Sequence, residues 1–120
     1  MKNILRPGKK LNELVAVEVM GYSKDRNSKK WIMDRVGEGT VYGDLHDFSG
    51  DKDSAHDLIR KVEELGIGTL TADSASRGGY KAFLVSHKPE KDWCEYGETW
   101  AHAICLGALR AVQEYRAGNN

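Results

Sequence analysis

A long amphipathic helix near the end of the chain constrains the fold most. Between Glu98 and Tyr115, apolar side chains recur at three- and four-residue steps, which predicts one wide helical face. That face comprises Ala101, Ile104, Cys105, Ala108, Val112 and Tyr115, widened by Leu106 and Leu109. Glu98 and Thr99 mark its start. A stripe of this width must be buried against another layer, so the chain is expected to fold as packed layers.

Two shorter helices are predicted upstream. Apolar residues recur at helical spacing from Leu11 to Val19, and Gly21 stands where a C′ glycine is expected. A second helix is predicted from Ala55 to Leu65, with Gly66 ending it. Its start is marked by N-cap candidates, and one pair resembles a capping box. The candidates are Asp51, Asp53 and Ser54, and the pair is Ser54 with Asp57.

Four short strands are predicted between the helices. "WIMDRV" alternates in character and could form a hairpin with "TVYGDLHDF", whereas "YSKDRNSKK" before it is polar and is expected to be an exposed loop. "IGTLTA" and "YKAFLVSH" are the clearest strands, and "DSASRGG" is the turn between them. The order helix, strands, helix, strands, helix favours an α+β fold.

The length of 120 residues is that of one domain with its own core. We therefore predict a single-domain α-β-α sandwich of about three helices and a mainly antiparallel sheet of about four strands. Residues 1–9 are expected to form a flexible N-terminal tail, residues 10–117 the domain, and residues 118–120 a C-terminal tail.

Three segments together resemble a known family. They are "LNELVAVEVMGY", "FSGDKDSAHDLIRKVEELG" and "ETWAHAICLGALRAV", and the resemblance runs from Lys10 to Val112. The chain resembles the phage ABA sandwich domain proteins, which implies an α-β-α sandwich of phage or prophage origin. The resemblance implies no established reaction, cofactor or catalytic residue. The chain departs from the family pattern at Trp100 and His102, and in "KPEKDWCEYG", which is longer and more aromatic than expected.

The charge balance excludes some classes of partner. Lys plus Arg and Asp plus Glu each total 18, so the formal net charge is zero. General nucleic-acid binding needs a basic surplus, and a mimic of DNA needs an acidic one. No signal peptide is visible in residues 1–8, and no apolar run is long enough to span a membrane. We expect a protein of the bacterial host cytoplasm.

Catalysis is not predicted. Cys94 with His102 or His87 is the one combination that could activate a nucleophile, but no glycine-flanked signature surrounds Cys94. We interpret Cys94 as an exposed thiol and Cys105 as a small core residue. A small hydrolase therefore ranks last among the hypotheses.

No metal or cofactor is predicted either. The four histidines, at positions 46, 56, 87 and 102, lack the i, i+4 pairing of helical zinc ligands. The aspartates of "GDLHDFSGDKD" lack the ordered spacing of an EF-hand, and helix capping explains Asp51 and Asp53. "SASRGG" could bend around an anion with Arg77, but a turn is the simpler interpretation.

Trp93, Tyr96 and Trp100 are expected in a polar loop that enters the last helix. Two interpretations remain open. The tryptophans could fold back as a lid over the sheet, or the three rings could form a contact surface or ligand platform. In the second case Arg77 and His102 are the expected polar neighbours.

The functional hypothesis is a non-enzymatic phage accessory protein that acts by binding, with inhibition of a host protein or defence system as its role. The alternative is a sponge that captures a nucleotide-type immune signal by aromatic stacking and an Arg77–phosphate contact. Self-association through open strand edges is a further expectation.

Overall fold

The computed structural model of the chain describes residues 6–25, 30–36, 39–76, 78–87 and 90–118. Within these ranges it contains three helices and six strands. Their bounds are α1 Lys9–Glu18, β1 Ser23–Lys24, β2 Trp31–Val36, β3 Gly39–Gly43, α2 Lys52–Glu64, β4 Gly68–Ser74, β5 Tyr80–His87, β6 Glu90–Gly97 and α3 Trp100–Gly118. The α+β class and the single domain are confirmed. The strands form two antiparallel sheets of three rather than one sheet of about four.

The first sheet has the order β1-β2-β3. The predicted hairpin between β2 and β3 is confirmed, with a register shift between Ile32 and Asp34. The segment expected to be only a loop contributes the short strand β1, in which Ser23 pairs with Ile32. At the base of this sheet, Trp31 is buried in the hydrophobic core.

The second sheet has the order β4-β5-β6 and is covered on one face by α3. Helix α2 packs against α3 and β4, and α1 packs against α3. Gly107 allows the close approach of α3, since a Cβ atom there would lie 2.8 Å from Leu70 Cδ1 and 3.1 Å from Ala82 Cβ. The covered face of the sheet and the predicted stripe of α3 thus pack together in the core.

The start of α2 differs in detail from the sequence prediction. Asp51 is the N-cap, and its carboxylate accepts hydrogen bonds from the backbone N–H and the hydroxyl of Ser54. These bonds lower the pKa of the Asp51 carboxyl. The predicted capping box of Ser54 and Asp57 is wrong, because Ser54 lies inside the first turn and Asp57 pairs with Arg60.

The predicted aromatic loop is the strand β6, and this corrects the sequence prediction. All eight residues from Glu90 to Gly97 pair with β5, so that Leu84 faces Trp93 and Lys81 faces Tyr96. The composition of this segment is polar, so the alternation of its side chains with a period of two is not recognisable from the sequence. It becomes evident only from the pairing with β5. The chain then enters α3 after a connection of two residues.

Candidate functional site

Trp93 is part of the core. It lies opposite the buried Leu84, and only 5% of its surface is exposed. Directly opposed residues of an antiparallel pair point to the same face, so the indole lies on the face of the sheet that α3 covers. The sequence left two interpretations open. For Trp93 the correct one is that the side chain folds back over the sheet.

Tyr96 points to the opposite face of the sheet and is 62% exposed. Lys81 is its neighbour on β5, and the Lys81 ammonium lies 5.7 Å from the centre of the Tyr96 ring and 4.8 Å from that of Phe83. Both distances suit cation–π attraction. Tyr96 is therefore an accessible aromatic ring with a cation beside it, held on a regular strand.

Trp100 is the first residue of α3 and is half-buried. Its ring packs against the imidazole of His56 on α2, with 4.8 Å between the ring centres. The ammonium of Lys52, one turn earlier on α2, lies 5.4 Å from the indole centre. The contacts with α2 hold this ring at the surface beside a second cation.

We call Tyr96, Trp100, Lys52, His56 and Lys81 the aromatic end. Tyr96 and Trp100 are four residues apart, which limits their Cα separation to about 14 Å. The chain between them turns tightly, because a Cβ atom on Gly97 would lie 2.5 Å from the backbone nitrogen of Ala103. The aromatic end thus contains one exposed ring and one half-buried ring, each with a lysine ammonium alongside.

Sequence reasoning missed three members of the aromatic end. Lys52 and His56 have i, i+4 spacing on α2, which signals a shared helical face but not its proximity to Trp100. Lys81 lies beside Tyr96 only through the register of β5 with β6. No local pattern reveals that pairing, because it joins residues 15 positions apart.

His102 is not on the surface. It is 2% exposed, and its Nδ1 accepts a hydrogen bond of 2.9 Å from the backbone N–H of Glu98. The backbone N–H of His102 donates to the Thr99 hydroxyl, which caps α3 as its position predicts. The imidazole thus stabilises the entry into α3. Arg77, the other expected polar neighbour, lies outside the described residues.

Cys94 and His102 are not brought together. Cys94 lies opposite Phe83 and shares its face of the sheet, whereas His102 belongs to the helix that packs on the other face. The side chain of His87 lies outside the described residues. Cys105 is fully buried, and desolvation raises the pKa of its thiol to about 12. The prediction that Cys105 is a core residue is confirmed.

Within the described ranges, no group of three or more His, Cys, Asp or Glu side chains is arranged to hold a metal ion. Three of the four aspartates in the 43–53 segment have other partners, and Asp53 lies in the first turn of α2 without capping it. Asp44 pairs with Lys30 at 2.7 Å, and this bond lowers the pKa of its carboxyl. Asp47 accepts from Asn12, and Asp51 caps α2.

The described helices are short or polar relative to a membrane-spanning segment. None of them combines the length and the apolar character that a membrane span requires.

Comparison with known proteins gives one family and one fold. Residues 13–109 match the model of the phage ABA sandwich domain. The structure is similar to the crystal structure of a phage protein from Bacillus cereus ATCC 14579, with a TM-score of 0.68 and 21% sequence identity over 94% of this chain and 93% of that one. At 21% identity, this similarity shows that the two proteins share a fold. No curated protein matches the chain.

Proposed function

The chain belongs to the phage ABA sandwich domain family, and from this membership we propose that it is a phage accessory protein that acts by binding a host protein, without catalysis. The proposed site of action is the host cytoplasm. The specific form of the proposal is inhibition of a host defence component.

The aromatic end carries this proposal. Tyr96 is 62% exposed although it lies on a strand with a complete set of cross-strand partners. Tyrosine and tryptophan dominate the energetics of protein interfaces, since they bury a large area at a low cost in conformational entropy. The strand therefore fixes the backbone of Tyr96 in the free protein. Little conformational entropy is lost there on binding, which favours association.

The two lysines define the chemistry of the partner. Lys81 places an ammonium beside the exposed ring of Tyr96, and Lys52 places one beside the half-buried ring of Trp100. A complementary surface would bring an apolar or aromatic group against the rings and carboxylates against the lysines. An acidic, partly apolar surface of a host protein meets both requirements.

The test is affinity capture from host lysate followed by measurement on the purified pair. The tagged chain is used as bait, the captured protein is produced separately, and the dissociation constant is measured by calorimetry. Tyr96→Ala should weaken binding about tenfold or more, because interface tyrosines often contribute more than 1 kcal/mol. Lys52→Ala should weaken it less and should reduce its salt dependence.

Tyr42 provides the matched control. It is 53% exposed on β3, in the other sheet, so Tyr42→Ala removes an equally accessible ring from a different surface. Binding to the captured protein should be unchanged in this variant. Equal affinities of the Tyr96→Ala variant, the Tyr42→Ala variant and the wild type would exclude the aromatic end as the contact surface.

A second candidate function is the capture of a nucleotide-type immune signal. It is supported by the position of Lys52, whose ammonium lies 5.4 Å from the centre of the Trp100 indole. A base could stack on the indole while Lys52 contacts its phosphate. A tight ligand must raise the melting temperature of the protein. If no cyclic or NAD-derived nucleotide changes the melting temperature, this role is excluded. The protein-binding proposal is unaffected by that result.

A further inference from the structure

The connection between β6 and α3 lies between the two rings of the aromatic end. Strand β6 ends at Gly97 and α3 begins at Trp100, with Glu98 and Thr99 between them. Tyr96 stands one residue before the end of the strand, and Trp100 is the first residue of the helix. The course of this short backbone segment therefore affects how the two rings lie relative to each other.

Gly97 is in close contact with the backbone of two other segments. A Cβ atom on Gly97 would lie 2.5 Å from the backbone nitrogen of Ala103, in the first turn of α3. In the turn between β4 and β5, a Cβ atom on Gly79 would lie 2.6 Å from the carbonyl oxygen of Gly97. A side chain at either glycine would therefore force this backbone to shift.

His102 holds the next residue of the connection from inside the protein. Its imidazole is 2% exposed, and Nδ1 accepts a hydrogen bond of 2.9 Å from the backbone N–H of Glu98, whose side chain is exposed. A ring nitrogen that accepts a hydrogen bond carries no proton, so the neutral ring carries its proton on Nε2. The carbonyl of Thr99 accepts from the backbone N–H of Ala103, which ties the last residue of the connection to α3.

The side-chain contacts of the aromatic end do not replace this connection. Lys81 lies over the ring of Tyr96 on the sheet, and His56 packs against Trp100 from α2. Each of these contacts places one ring, and neither joins the two rings. Packing on the sheet fixes α3 as a whole, whereas its first turn, which carries Trp100, is joined to β6 by the connection.

We propose that His102 and Gly79 are positioning residues of the aromatic end, which act through the backbone of Glu98 and Gly97. The importance of this role for binding rests on the proposed function. Two rings on different elements bind a partner tightly when their separation is fixed in the free protein, because ordering them during binding costs conformational entropy.

The role of His102 is tested with two variants of matched shape. Asparagine has its Oδ1 where the imidazole has Nδ1, so His102→Asn keeps an acceptor for the Glu98 N–H, whereas His102→Leu places a methyl group there. Hydrogen exchange of the Glu98 amide, followed by NMR, should be about tenfold or more faster in His102→Leu than in wild type. His102→Asn should restore most of the protection.

Ser49→Ala is the control for a general loss of stability. Ser49 is 1% exposed and hydrogen-bonded to Asn12, in a different part of the core. This variant should lower the melting temperature without accelerating the exchange of Glu98. Equal exchange of Glu98 in His102→Leu and wild type would overturn the role of His102, and so would equal acceleration in His102→Leu and Ser49→Ala.

The role of Gly79 is tested against its neighbour. Gly78 and Gly79 have φ values of 94° and 71°, so alanine strains the backbone at both positions. At Gly78 the added methyl group meets nothing within 4 Å, whereas at Gly79 it meets the Gly97 carbonyl. The NMR signal of the Trp100 indole N–H should therefore shift in Gly79→Ala and stay in place in Gly78→Ala. Equal shifts in both variants would overturn the role of Gly79.

Binding to the captured host protein is measured last, on variants that circular dichroism shows to be folded. Affinity should fall about tenfold or more in His102→Leu and Gly79→Ala, and less than about threefold in His102→Asn and Gly78→Ala. Should Gly79→Ala fail to fold, the two His102 variants decide alone. The NMR measurements need no partner, so a failure of the proposed function, seen as wild-type binding by Tyr96→Ala, is distinguishable from a failure of the positioning role.

Discussion

Asn12 and Ser49 are joined by two hydrogen bonds although 37 residues separate them. The Asn12 side-chain oxygen accepts from the backbone N–H and from the hydroxyl of Ser49, each at 2.8 Å. The Asn12 amide nitrogen donates to Asp47 at 2.9 Å, and Ser49 in turn accepts from the backbone N–H of Gly8. Asn12 is 6% exposed and Ser49 is 1% exposed. This buried network connects α1 to the segment that leads into α2.

The network predicts the effect of Asn12→Ala. The substitution leaves the buried N–H and hydroxyl of Ser49 without their acceptor, which should lower the free energy of unfolding by about 2–3 kcal/mol. Urea denaturation measures the change. Lys10→Ala, at an exposed position of the same helix, should change stability by less than about 0.5 kcal/mol. A loss of similar size in both variants would show that the network contributes no stability of its own.

The opposite orientations of Trp93 and Tyr96 predict losses of stability that differ in size. Trp93→Ala empties a buried site in the core and should cost about 3–5 kcal/mol of unfolding free energy. Tyr96→Ala, three residues away on the same strand, removes a mostly exposed ring and should cost less than about 1 kcal/mol. Thermal denaturation followed by circular dichroism compares the two. Equal losses would contradict the assignment of these side chains to opposite faces of the sheet.

The cap of α2 predicts a dependence on pH. The pKa of Asp51 is lowered by its hydrogen bonds with Ser54, so its carboxylate stabilises the folded chain above the ordinary value of 3.8. That contribution is lost as the pH falls through the lowered pKa of the folded state. Asp51→Ala should therefore lower the melting temperature at neutral pH, and the difference from wild type should shrink below pH 3.8.

Asp51→Asn is the matched control, because the amide oxygen still accepts from the backbone while the titrating group is gone. It should destabilise the protein less than Asp51→Ala at neutral pH. A gap between wild type and Asp51→Ala that is constant from neutral to strongly acidic pH would refute the ionic cap.

The two cysteines are expected to differ in reactivity. Burial raises the pKa of Cys105 to about 12, so at mildly alkaline pH almost none of it is thiolate. Cys94 is half-buried and lies opposite Phe83, on the face of the β4-β5-β6 sheet that α3 does not cover. A thiol reagent should modify one cysteine in the native chain and two in urea, and Cys94→Ser should abolish the native reaction. Rapid modification of both thiols under native conditions would be inconsistent with a buried Cys105.

Helix α3 shows how much of the fold could be predicted from the sequence. Its apolar stripe and its start at Thr99 depend on residues three or four positions apart, so local periodicity was sufficient to place them. The same reasoning located α1, α2 and the strands β2, β4 and β5. It failed for β6, whose residues become a strand through pairing with β5 along the whole length of Glu90–Gly97.

The candidate site was predictable only in part. The cluster of aromatic residues drew attention to Tyr96 and Trp100, and both remain at or near the surface. The same cluster drew attention to Trp93 and His102, which are buried. Residue type suggests that a ring or an imidazole can bind, but accessibility depends on what packs over it.

The sequence by itself determined the three helices, the α+β class and the family, because all of these depend on spacings within a short segment or on motifs that can be compared directly. Only the tertiary structure decided which aromatic side chains enter the core and which cations accompany the others. Trp93 and Tyr96 face opposite ways because a strand alternates its side chains, and the register with β5 determines which set α3 covers. That register arises from non-local pairing, and no single stretch of the chain encodes it.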